Sequence, residues 1–132
     1  MISGIILTHG PIASAIIKSA ETILGKVDNI YPLSTTGFSL RDLVAKLDEI
    51  IANKKSDSGI LIMASLKGGT CWNAAVAVAR KNENIKVVSG VNLPMIISFV
   101  TKRNRLSLDD LMQTIYQDGI KGIDLFNETT RD

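Results

Sequence analysis

Short runs of Ile, Leu and Val recur along this chain, each followed by a longer stretch in which apolar residues return every three or four positions. Ile2 to Leu7 and Gly59 to Ala64 are apolar almost throughout and are bounded by polar or turn residues, the pattern of strands buried on both faces. Ile85 to Ser89 is shorter but β-branched. Val27 to Leu33 carries Asp28, Asn29 and Pro32, and because proline cannot donate to a ladder this strand belongs at a sheet edge. Between the strands, Leu40, Leu43, Val44, Leu47, Ile50 and Ile51 share one helical face, with Ser39 and Asp42 resembling a capping box. Pro11 to Leu24 and Asn73 to Arg80 are apolar nearly all round, as expected of helices pressed onto a sheet. Met95 to Val100 reads as a short apolar turn or two. A last amphipathic helix runs from Leu108 through Ile115, capped by Ser107 and ended by Gly119.

This alternation implies right-handed βαβ crossovers and therefore an α/β fold: an open, mainly parallel four-stranded sheet with helices on both faces. With the proline-bearing second strand at an edge and the first and third central, the strand order begins 2-1-3. The crossover direction then reverses between strands one and three, and in open α/β sheets the ligand site lies at such a switch point, beyond the carboxyl ends of the strands. A chain of 132 residues that is 45% apolar builds one domain, residues 1–132, with 127–132 expected as a flexible tail.

Charge and composition exclude several functions. Fifteen basic against thirteen acidic residues give a net charge of +2, too balanced for the concentrated basic surface of a nucleic-acid binder. A single cysteine cannot form an internal disulfide, which fits a reducing cytoplasm. The opening residues lack a basic n-region, and no segment approaches the roughly 20 apolar residues of a membrane span. One His and one Cys fall short of a metal-ligand set, and nothing in the sequence implies a cofactor.

Two loops meet at the expected switch point. The first is Thr8-His9-Gly10-Pro11. His9 is the only histidine, hence the only side chain of a type that ordinarily titrates near neutrality, and Pro11 suits the start of a helix. Gly10 leaves room for close approach. The second loop, Ser65-Leu66-Lys67-Gly68-Gly69-Thr70-Cys71, also leads into a helix. The Gly68-Gly69-Thr70 amides can turn toward an anion, and Lys67 adds a positive charge. The lysine precedes the glycines, so this is not a nucleotide-binding P-loop. Gly90 to Pro94 could wall the cleft. A lone imidazole flanked by amide donors suits reversible phosphorylation of histidine, because a phosphoryl group needs charge stabilisation more than proton transfer.

Three elements, Thr8-His9-Gly10, then Gly68-Gly69-Thr70 with Asn73 and Ala74-Ala75, then Gly90-Val91-Asn92-Leu93-Pro94-Met95, occur in register along nearly the whole chain. Together they resemble the enzyme IIA domain of the mannose class of the bacterial phosphoenolpyruvate-dependent sugar phosphotransferase system. The resemblance implies that His9 accepts phosphate from the carrier protein HPr and passes it to a IIB domain, and so indirectly serves a membrane IIC/IID permease, with the sugar selected by those partners. It also implies a homodimer that exchanges a carboxyl-terminal antiparallel strand, here Gly122 to Phe126. Two departures stand out: the family usually has an aspartate at the position of Ser65 and a proline at that of Cys71. A serine hydroxyl can still accept a hydrogen bond from the histidine, but without charge assistance its orienting effect falls by an amount on the order of 1 kcal/mol.

Ser65 is thus expected as the orienting neighbour of His9, with Gly10, Lys67, Gly68, Gly69, Thr70 and Asn73 around the phosphoryl group. The missing aspartate keeps open an attenuated or non-enzymatic regulatory domain that senses the phosphorelay. A third reading makes Cys71 a thiolate with His9 as its base; the alternative for Cys71 is a small packing residue. Lys102-Arg103-Asn104-Arg105 is a basic cluster at a helix end, where cations complement the dipole, with docking of an acidic partner as its minor alternative.

Overall fold

The computed structural model describes residues 1–54 and 58–128. Strands β1 (Ser3–Thr8), β2 (Ile30–Ser34), β3 (Ile60–Ala64) and β4 (Ile85–Ser89) alternate with helices α1 (Ile12–Leu24), α2 (Leu40–Asn53) and α3 (Thr70–Arg80), and α4 (Leu93–Lys102) and α5 (Leu108–Lys121) follow β4. The sheet has the order β2-β1-β3-β4, and every pairing is parallel. The α/β class, the open parallel sheet and the edge position of the second strand are as the sequence implies.

Period-two alternation along β1 divides the core between two layers. Ile6, with Leu61 and Met63 of β3, faces Ala13 and Ala20 of α1 and Phe99, Leu111 and Ile115 of α4 and α5. Ile5 and Leu7, with Ile60 and Ile62, face Leu43 and Leu47 of α2 and Cys71, Ala74, Ala75 and Val78 of α3. Both faces of β1 and β3 are therefore buried, which is why these segments read as unbroken apolar runs. Burying each Ile or Leu contributes about 1.5–3 kcal/mol.

Several boundaries differ from the sequence reading, each for a local reason. β2 begins at Ile30 because Asn29 takes a positive φ of 57°, and Pro32 within it sits on the free edge. α3 starts at Thr70, earlier than Asn73, so the glycine loop runs directly into its first turn. α4 has ten residues instead of a turn or two, because Asn92 caps it, accepting from the Met95 amide at 2.9 Å. Gly119 does not end α5. It is buried within the helix, where a Cβ would lie 3.0 Å from Met95 Cε, so its small size permits close packing against α4. Met95 Cβ would lie 3.4 Å from that same added carbon.

The basic cluster is not a patch. Lys102 pairs with Asp118, and Arg103 is buried, its guanidinium donating to the carbonyls of Asp28, Asn29 and Ile2 at the amino-terminal edge of the sheet. Among the described residues, 122–128 form no strand, and Ile123, Leu125 and Phe126 are exposed. Of the expected tail, residues 129–132 lie outside the described residues. Among the described residues no helix is long and apolar enough to cross a membrane.

Candidate functional site

The carboxyl ends of β1 and β3 lie side by side, joined beyond the ladder by the Ser65 amide donating to Leu7 O at 3.0 Å. The chain leaves β1 toward β2 on one side and β3 toward β4 on the other, so the two loops flank the switch point. His9 follows directly on β1. Its turn is fixed by Gly10, whose φ of 60° favours glycine, and by buried Thr8, whose Oγ1 accepts from the Ala13 amide at 2.9 Å. Nothing in the protein lies within 4 Å of a Cβ built on Gly10, so within the chain its backbone conformation is what calls for glycine. Thr8 supplies the cap to α1 that Pro11 cannot, a role missed in the sequence although Thr is an ordinary capping type.

The imidazole is exposed, and its two nitrogens meet different surroundings. Nδ1 lies 3.1 Å from Ser65 Oγ and 3.6 Å from Cys71 Sγ. The Ser65 hydroxyl donates to Cys71 Sγ at 3.7 Å. On the other side, a Cβ built on Gly69 would lie 3.6 Å from His9 Cε1 and 3.8 Å from Nε2. The Nε2 edge thus stands over the residue preceding α3. The first intrahelical bond there is Asn73 N–H to Gly69 O, which leaves the amides of Thr70, Cys71 and Trp72 without partners of the i−4 kind. A helix start of this kind favours negative charge. Gly68 turns the loop with a φ of 83°.

The remaining expected residues make no hydrogen bond to the ring among the described contacts. Lys67 is exposed and lines a groove of about 320 Å³ with Trp72, Ser89, Met112, Gln113 and Tyr116, beside the site. Asn73 is exposed on the first turn of α3, where its backbone amide closes the turn. The 90–94 segment is structural: Asn92 Nδ2 donates to Gly119 O at 3.0 Å, tying the start of α4 to α5. Cys71 is fully buried, which leaves its sulfur no path to a substrate and removes the support for a thiol enzyme. Among the described residues no group of three His, Cys, Asp or Glu is placed to hold a metal ion.

The ring thus stands between a polar anchor at Nδ1 and the start of a helix at Nε2. The family model of the PTS system fructose IIA component, EIIA-man, matches residues 3–116. The chain belongs to this family.

A sorbose-specific EIIA component of Klebsiella pneumoniae is 30% identical over 113 residues, covering 86% of this chain and 83% of that protein. The mannose-specific EIIAB component of Escherichia coli K12 is 29% identical over 90% of this chain, which spans only 38% of that longer protein. The crystal structure of a phosphotransferase system component EIIA from Streptococcus agalactiae superposes with a TM-score of 0.84 at 30% identity, covering 94% of this chain and 96% of that one. The chain is therefore a IIA component of the sugar phosphotransferase system in sequence as in architecture.

Proposed function

We propose that this IIA domain is a phosphocarrier in which His9 takes a phosphoryl group from phospho-HPr and hands it to a IIB domain. The Nε2 lone pair attacks phosphorus, the bond from phosphorus to the donor breaks with its electron pair leaving on the donor, and the reverse sequence delivers the group to the acceptor. Charge on the phosphoryl oxygens meets the amides at Gly69 and Thr70, with Lys67 adding a cation from the rim. Ser65 orients the ring through Nδ1. The observation that carries this reading is the asymmetry of the imidazole, with Nδ1 anchored at 3.1 Å and Nε2 facing the start of α3.

The partners follow from the family: HPr as donor, a IIB domain as acceptor and, beyond it, the membrane IIC/IID permease, with the IIA domain working in the cytoplasm. A homodimer formed by exchange of 122–126 is supported by the exposed Ile123, Leu125 and Phe126 and by β4, which the described strands leave with one open edge. A full-length preparation that sediments as a monomer contradicts the exchange.

Incubation with phosphoenolpyruvate, enzyme I and HPr is expected to add one acid-labile phosphoryl group by mass spectrometry, and His9→Ala to abolish it. Wild-type protein left unmodified in that relay overturns the carrier reading. One observation favours a second reading: among the described residues the side chains that Nδ1 meets are Ser65 and Cys71, neither of them a carboxylate. A regulatory domain that senses the relay while transferring slowly fits that environment.

A further inference from the structure

We propose that Cys71 is a positioning residue: its sulfur holds the proton of the Ser65 hydroxyl, and so keeps His9 in the tautomer whose Nε2 carries the free lone pair. The inference rests on the reading of His9 as the phosphoryl acceptor and assigns a function to the buried thiol beside it.

Three polar atoms form a closed triangle: Nδ1 to Oγ at 3.1 Å, Nδ1 to Sγ at 3.6 Å and Oγ to Sγ at 3.7 Å. A neutral imidazole has one N–H and one bare nitrogen, and the partner of one nitrogen decides the state of the other. Serine is ambivalent in this position. If its hydroxyl donates to Nδ1, the ring proton must sit on Nε2, and the nitrogen facing α3 has no lone pair for phosphorus. If the hydroxyl donates elsewhere, its oxygen presents only lone pairs to Nδ1, which must then carry the proton, and Nε2 is bare. A carboxylate would settle the matter alone, since it is acceptor-only when ionised.

In this structure the Ser65 hydroxyl has Cys71 Sγ within reach as a second acceptor at 3.7 Å, beside His9 Nδ1 at 3.1 Å. The sulfur cannot swing away, because Cys71 is fully buried at the start of α3 in the layer that includes Leu7, Ala64 and Ala74. It also lies 3.6 Å from Nδ1 itself, where its lone pairs can accept from a ring N–H. Removing the sulfur frees the hydroxyl proton to turn onto Nδ1, which selects the tautomer that cannot attack through Nε2.

The test is ¹⁵N NMR of the His9 ring in the full chain, above the pH at which the ring becomes neutral, together with single-turnover transfer from phospho-HPr. Wild type is expected to show a pyrrole-type Nδ1 and an imine-type Nε2. Cys71→Ala is expected to move the population toward Nε2–H and to slow transfer about fivefold, the factor carried by one net hydrogen bond. Cys71→Ser restores an acceptor and is expected to return both signals toward wild type. In a Ser65→Asp background, Cys71→Ala is expected to leave the tautomer unchanged, because the carboxylate has no proton to misdirect. Cys71→Val removes the acceptor while filling the space, and carries the same expectation if the alanine variant does not fold. Equal tautomer populations and equal rates in wild type and Cys71→Ala overturn the inference. Wild type that accepts no phosphate at all fails the carrier reading instead, and the NMR comparison still decides the relay.

Discussion

Replacing Ser65 with aspartate puts a carboxylate where a hydroxyl now lies 3.1 Å from His9 Nδ1. A hydrogen bond between neutral groups nets about 0.5–1.5 kcal/mol, and one to a charged group about 1.5–3 kcal/mol. His9 is exposed and Ser65 only half-buried, so solvent screening holds the gain to the low end of that difference, about 1 kcal/mol. The imidazole gains positive charge as phosphorus bonds to Nε2, so the gain appears in the transfer step more than in donor binding. About 1 kcal/mol is roughly a fivefold faster transfer. Rapid-quench single-turnover measurements with phospho-HPr, at donor concentrations that separate binding from transfer, read it directly. Ser65→Ala calibrates the opposite direction, with an expected loss of similar size. A Ser65→Asp protein that transfers no faster than wild type, while NMR shows its carboxylate in contact with Nδ1, refutes the claim that the neutral anchor attenuates His9.

Three further outcomes are expected. Gly69→Ala leaves the fold intact, because its φ of −93° suits any residue and the added Cβ meets His9 only at 3.6 Å, but it crowds the space beside Nε2; transfer falls while stability changes by less than about 1 kcal/mol in urea titration. Arg103→Met removes the 2.6 Å bond to Asp28 O and two longer ones at the edge of the sheet opposite His9, so the urea midpoint falls by an equivalent of about 2 kcal/mol with transfer unaffected. Asp118 is held below the ordinary carboxylate range by hydrogen bonds from Lys102 and Ser98. Its contribution is therefore present above the ordinary value of 3.8 and is lost as pH falls through the lower folded value, so the stability gap between wild type and Asp118→Asn narrows in acid.

Much of the fold was legible because the strands and helices advertise themselves by different periods. Ile2 to Leu7 could be assigned to a central strand because both of its faces are covered, and Pro32 could be assigned to an edge because it lacks an amide. The order 2-1-3 followed from those two facts. The errors fall where a residue has two uses. Glycine both ends helices and lets them approach, and at Gly119 the second use prevails because Met95 occupies the space above it. Arg103 read as a helix-end cation complementing the dipole, because the carbonyls that bury it, of Ile2, Asp28 and Asn29, lie at least 74 positions away in the chain.

The site divides along the same line. His9 was readable because its rarity, its neighbours Gly10 and Pro11 and its place after a strand are all local. That its loop meets the one holding Ser65, 56 residues on, follows from the topology, which brings both strand ends together, while the pairing of the two side chains was implied by the family resemblance. The part proposed for Cys71 was not readable, since a cysteine entering a helix is a packing residue or a reactive thiol until the fold shows its sulfur buried and within reach of Ser65 and His9. Sequence supplies the chemical types at a site, and topology supplies which of them meet. The direction in which a proton is shared among them depends on distances of a few tenths of an ångström, and no spacing along the chain encodes it. Under the proposed carrier role that last quantity matters here, because a hydroxyl, unlike an ionised carboxylate, can either donate to His9 Nδ1 or accept from it.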